Sequence, residues 1–88
     1  MSRVKGKERK YGTNISGSRI KEARSRRQIG QSELVAALEV EHRIKLHRSA
    51  LGLIEQQKRS VSDIELVAIS KVLEVSVQWL LFGEEKDV

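Results

Sequence analysis

The sequence predicts an all-α protein, one small bundle of five short helices. Three observations carry this. The 88 residues contain no proline and only 3% aromatic residues, so the core must be built from aliphatic side chains suited to helix faces. Apolar residues recur at three- and four-residue intervals along successive stretches of the chain. Between those stretches stand residues that cap or break helices, namely Ser16, Gly30, Ser62, Ser76 and Gly83. A chain this short supports one domain with a small core, and without cysteine neither a disulfide nor a thiolate metal site can reinforce it.

Residues 1–13, MSRVKGKERKYGT, mix glycine with Lys and Arg without apolar periodicity, so the first 14 residues are expected to form a basic, disordered arm. Ser16 is expected to cap a helix to about Arg27, with Ile20, Ala23, Arg24 and Arg27 on one face. Gln28-Ile29-Gly30 ends it. Gly30 then caps a second helix from Gln31, with Leu34, Val35 and Leu38 inward. Residues 39–46 place Val40, Ile44 and Leu46 among charges at even spacing, as a strand would. No other segment alternates over the length needed to pair with it. The second helix is therefore expected to run to about His42, with Arg43–Leu46 as a turn whose Ile44 and Leu46 pack inward.

A third helix follows over residues 48–56. Ala50, Leu51, Ile54 and Lys58 fall near one face, with His47 beside them. Ser49, Gly52, Leu53 and Gln56 fall on the other, flanked by Arg48. Ser62-Asp63-Ile64-Glu65 is a capping-box pattern, opening a helix to Leu73 with Leu66, Val67, Ile69 and Leu73 inward. Ser76 caps a last helix, VQWLLF, which Gly83 ends. Trp79 is assigned to the core. Phe82, Val77, Leu80 and Leu81 are divided between core and dimer surface. Residues 15–83 thus form the folded domain and 84–88 an acidic tail.

Charge is unevenly distributed. Residues 1–28 hold ten Lys and Arg against two acidic groups, whereas residues 60–88 hold two against six. The basic end suits a polyanion; solubility is the alternative explanation of the same charge. No apolar run approaches the ~20 residues of a membrane span, and no signal-peptide core opens the chain, so a soluble cytoplasmic protein without a membrane partner is expected. His42 and His47, without cysteine or a spaced carboxylate, fall short of a metal site. Ser18, Ser25 and Ser32 have no histidine and acid arranged around them, so neither an enzyme nor a cofactor is expected.

A short helix whose outer face offers Arg, Ser and Gln, preceded by another helix, has the plan of a helix-turn-helix. The segments SRIKEARSRRQIGQSELVAAL, RSALGLIEQQKR and VSDIELVAISKVLEVSVQWLLFGE together resemble the helix-turn-helix domain of the phage-repressor family, the Cro and lambda-repressor-like or XRE type. The resemblance covers roughly residues 15–84. It implies a compact five-helix DNA-binding domain of that type, with residues 48–56 in the major groove of double-stranded DNA. His47, Arg48, Ser49, Gly52 and Leu53 match base-contact positions; Gln31, Gln56, Lys58 and Arg59 match phosphate contacts. Arg24 and Glu55 match a partly buried salt bridge joining the first and third helices.

Two departures from the family pattern matter. Gly52 and Leu53 bring fewer hydrogen-bonding groups to the outer face than is usual. Leu53 is either a contact to a thymine methyl or a surface leucine, and Arg48 either reads guanine or holds a phosphate. The family turn takes about 3–4 residues, but eight (39–46) separate Leu38 from His47, and Glu39 stands where a glycine usually ends the helix. The expected function is transcriptional regulation in a bacterium or phage, as a homodimer on a two-fold operator. The basic residues of 3–10 either enter a minor groove or follow phosphates, or take no part. The competing reading is a protein-interaction module, such as the antitoxin of a toxin–antitoxin pair, with a protein partner.

Overall fold

The computed structural model describes residues 12–83. They form five α-helices and, among the described residues, no strand: α1 Gly17–Arg26, α2 Gln31–His42, α3 Arg48–Glu55, α4 Asp63–Leu73 and α5 Val77–Phe82. The expected acidic tail and residues 1–11 of the expected arm lie outside the described residues.

The helix starts follow local chemistry where a capping side chain is free to act. At α4, Ser62 Oγ accepts from the Glu65 N–H at 3.1 Å, and a Glu65 carboxylate oxygen accepts from the Ser62 N–H at 2.9 Å, completing the capping box. Ser76 Oγ accepts from the Trp79 N–H at 2.9 Å and opens α5. Gly30 has no side chain to offer, and only the return bond exists there, from its N–H to Glu33 at 3.3 Å. Ser16 corrects the sequence reading. Its backbone is already helical (φ −95°, ψ −14°) and its side chain caps nothing. The cap is Asn14, whose Oδ1 accepts from the Gly17 N–H at 2.6 Å.

Four helices end on a left-handed residue that is not glycine: Gln28, Arg43, Gln57 and Glu74, with φ between 57° and 65°. After α1, α3 and α4 the next N–H reaches back to the carbonyl five residues earlier: Ile29 to Arg24, Lys58 to Leu53, Val75 to Ser70. These are Schellman closures. The end of α2 is one residue wider, with the Ile44 N–H bonded to the Leu38 carbonyl at 3.1 Å. Glu39 lets the helix pass the point where a glycine would stop it; it runs to His42, as the sequence predicts, and the left-handed Arg43 closes it.

The core lies between α1, α2, α3 and α4, with Ile20, Leu34, Leu38, Leu51, Ile54 and Ile69 fully enclosed. Burying each such side chain contributes roughly 1.5–3 kcal/mol. α5 closes one side through Leu80, and Arg19 holds its C-terminal end by donating to the carbonyls of Leu80 (3.1 Å) and Leu81 (2.9 Å). Trp79 is half-buried against the core, with the Arg26 guanidinium 5.5 Å from its ring centre. Phe82 is exposed.

Val67, expected inside, lies outside, and two residues that share a face with core residues are also exposed. Arg27 is exposed and pairs with Glu74 at 3.3 Å. Lys58 is exposed. Val67 is 44% exposed, while Ala68 and Ser70 are buried. The inward arc of α4 therefore turns toward its small residues, which let neighbouring backbones come close.

The Glu65 carboxylate is partly desolvated, which raises its pKa. The Ser62 N–H, the Arg59 guanidinium at 3.3 Å and the Ser62 hydroxyl outweigh this and hold it below the usual carboxylate range. A carboxylate with a depressed folded-state pKa adds stability above its unfolded pKa, and that contribution is lost as pH falls through the folded value. Urea denaturation from pH 7 down to about pH 3 should therefore show the parent losing stability below about pH 4.5. Glu65→Gln should be less stable at pH 7 and lose less on acidification; parallel curves for the two proteins refute the assignment.

Candidate nucleic-acid interface

α3 has only eight residues, too few to be stable alone, so its helicity and orientation depend on what grips its inner side. Leu51 and Ile54 enter the core. Beside them Glu55, its side chain 3% exposed, meets Arg24, 13% exposed. Arg24 Nε donates to Glu55 Oε2 at 2.8 Å and Nη2 to Oε1 at 3.0 Å, a two-pronged pair. Its Nη1 donates to the Ile29 carbonyl at 2.9 Å, and Gln31 Nε2 adds a donor to Glu55 Oε1 at 3.0 Å. The bond to Glu55 raises the Arg24 pKa above its usual value against the opposing effect of burial, with the charge of Glu55 adding to it. The pair and its Gln31 partner fix α3 to α1 and to the start of α2.

A second grip holds the C-terminal end. The Asn14 amide donates to the carbonyls of Ile54 (3.1 Å) and Arg59 (2.8 Å), while the Thr13 N–H donates to the Gln57 carbonyl at 2.8 Å. Gly17 is required by this approach: a Cβ there would stand 2.1 Å from the Ile54 carbonyl oxygen.

With the inner side held, the outward side chains are determined. His47, Arg48, Ser49, Leu53 and Gln56 are exposed, and Gly52 lies between them with no atom nearer than 3.9 Å to a Cβ built on it. His47 precedes the helix in an extended conformation, without a side-chain bond to the helix N-terminus. Of the four residues matched to phosphate contacts, Gln56 and Lys58 are exposed. Gln31 is bonded to Glu55, and Arg59 is engaged by the Ser60 carbonyl at 2.9 Å and by Glu65.

The connection contributes residues that sequence reasoning passed over. Leu46 is buried and Ile44 is packed against the core, while Arg43, the left-handed residue that closes α2, Lys45 and His47 are exposed around them. Lys45 has a long contact to Glu39, 3.9 Å, and Arg43 is exposed. The even spacing of Ile44 and Leu46 is the sequence signal for this row, although the segment forms no strand. Arg43, Lys45, His47 and Arg48 thus make a basic edge leading into the N-terminus of α3, where free N–H groups and the helix dipole also favour an anion. Asn14 was also missed, because its partners lie about forty residues away in the chain.

No family model, curated protein or solved structure matches this chain.

Arg24→Ala and Glu55→Ala should each lower unfolding stability by about 3 kcal/mol, because each strands a nearly enclosed opposite charge. Replacing both, Arg24→Met with Glu55→Leu, should cost less than the sum of the two alanine variants. Urea unfolding of the set measures this; additive losses contradict the pairing.

Proposed function

We propose that this protein is a sequence-selective reader of double-stranded DNA, a helix-turn-helix regulator of the lambda-repressor-like type, acting in the cytoplasm of a bacterium or in phage infection. The observation that carries the reading is the held α3, with Arg48, Ser49, Gly52, Leu53 and Gln56 outward and a basic edge at its N-terminus. In this reading α3 enters the major groove. Arg48 donates to a guanine edge and Leu53, 43% exposed, covers a thymine methyl. Gln56 and Lys58 meet phosphates at one end of the helix, while Arg43, Lys45 and the N-terminus of α3 meet them at the other. Arg59 acts chiefly through Glu65, and Gln31 through Glu55. The cationic residues 3, 5, 7, 9 and 10 add positive charge that suits the same polyanion. One eight-residue helix addresses few base pairs, so the protein acts as a homodimer on a two-fold site.

Leu53 and Gly52, with little to offer a base edge, favour a second reading as a protein-binding module, such as an antitoxin whose partner covers α3. The two readings respond differently to salt.

Titration of the full chain against random and selected duplexes at about 50–200 mM salt should show a steep linear fall of log affinity with log salt. Arg48→Ala should lose roughly 1–3 kcal/mol on the selected duplex and relax its preference. The Arg43→Ala/Lys45→Ala pair should instead lower affinity for all duplexes and reduce the salt slope by about two. Salt-insensitive binding, or no preferred sequence, removes the DNA reading.

Gly52→Ala separates fold from function. A glycine within a helix costs roughly 0.5–1 kcal/mol relative to alanine, and the site has room for the methyl. The variant should melt higher yet bind the selected duplex more weakly, because Gly52 permits close approach of the duplex. Unchanged affinity would sink that role.

A further inference from the structure

α4 carries an exposed stripe that nothing within the described residues covers. At 100° per residue, Asp63, Ile64, Val67 and Lys71 fall within roughly 100° of arc on its outer side. Ile64 is 70% and Val67 44% exposed. With Ile44, His42 and Ala68 they line a hollow of about 490 Å³ between the end of α2 and α4, away from α3. The exposed charges at the stripe's ends, Asp63 and Lys71, are in no ion pair among the described residues. Each complements the dipole at its own end of α4. That accounts for the charges and leaves the exposed aliphatic pair between them unexplained.

The order of these residues is self-complementary. Val67 lies four residues after Asp63 and four before Lys71, about 6 Å from each along the helix axis. Two α4 helices packed antiparallel, with a two-fold axis at Val67, set each Asp63 opposite the Lys71 of the other copy. The Val67 side chains then meet at the axis, and each Ile64 faces the aliphatic stem of the opposing Lys71. A closed two-fold contact requires the same patch on both sides to complement itself, and this one does so in charge and in apolarity.

We propose that a second copy of this chain occupies this face, through an antiparallel α4–α4 contact centred on Val67. The contact deepens the homodimer reading by naming its surface, but it does not need DNA in order to form. The patch is small, so the dimer is weak and forms at high protein concentration.

The test is sedimentation equilibrium of the full chain without DNA, between roughly 20 µM and 1 mM, the range suited to a small interface. The parent should associate reversibly to a dimer. Asp63→Lys alone and Lys71→Asp alone each set like charges opposite one another across the axis, and each should weaken association about tenfold or more. An equimolar mixture of those two variants restores opposite charges at both ends, so it should form a mixed dimer about as strong as the parent's. That restoration also shows that both variants are folded, and complementing a helix dipole cannot produce it. Val67→Glu should remain monomeric across the same concentration range. A parent monomeric at about 1 mM, single variants that associate like the parent, or a mixture no stronger than its components each overturns the proposal. Association without binding to any duplex overturns the DNA reading and leaves this contact standing.

Discussion

The ion pair between Arg24 and Glu55 is the constraint on which the rest of the arrangement depends. Two charges taken this far out of water are tolerated only when nearly every lone pair and N–H finds a partner. Here Glu55 accepts from two Arg24 nitrogens and from Gln31, and Arg24 also donates to the Ile29 carbonyl. Those partners come from α1, the link after it, the start of α2 and the end of α3. A small shift of any one of these segments would leave a buried charge short of hydrogen bonds. A core of aliphatic side chains alone would tolerate more sliding, because dispersion contacts have little directionality. The ion pair therefore supplies orientation more than stability, and the orientation it supplies is that of α3.

The outer surface follows from that fixed inner one. Leu51, Ile54 and Glu55 face inward, which leaves Arg48, Ser49, Gly52 and Leu53 nowhere to point except away. The connection obeys the same logic with a different period. Two aliphatic residues, Ile44 and Leu46, pack toward the core, and the residues before and between them, Arg43 and Lys45, are left exposed. Both are basic. The long approach from α2 thus adds positive charge beside the N-terminus of α3, where the polypeptide already offers unsatisfied N–H groups.

Much of this was legible in the sequence, and the exceptions share a cause. Ser62 and Glu65 act within four residues of one another, so pattern and structure agree at the start of α4. Gly30, Ser76 and the run of α2 to His42 are equally local. Ser16 failed because a residue two positions earlier, Asn14, is held by Ile54 and Arg59 from across the fold, and that contact moves the cap. Arg43 as a helix terminator was not visible in its residue type, since glycine is the usual signal for a left-handed turn. The pairing of Arg24 with Glu55 came from family resemblance, because no spacing rule links residues that far apart. Arg43 and Lys45 are hidden differently: the even spacing of Ile44 and Leu46 points to buried residues and says nothing of what the exposed ones between them do.

Val67 shows what a helical stripe leaves undetermined. Apolar spacing gives the arc that a helix is able to bury, while the neighbours decide which part of it is covered. In α4 the buried arc includes Ala68 and Ser70, while Val67 and Ile64 are left in solvent. A domain of this size has few ways to enclose both edges of such an arc, because five short helices cannot surround one another completely. An exposed aliphatic pair bounded by opposite charges is then a surface that a second copy can cover without any rearrangement of the core. Its charged and aliphatic residues Asp63, Ile64, Val67 and Lys71 lie on α4, whereas the basic edge lies on α3 and the connection before it. The two surfaces meet at His42 and Ile44, which line the hollow beside α4.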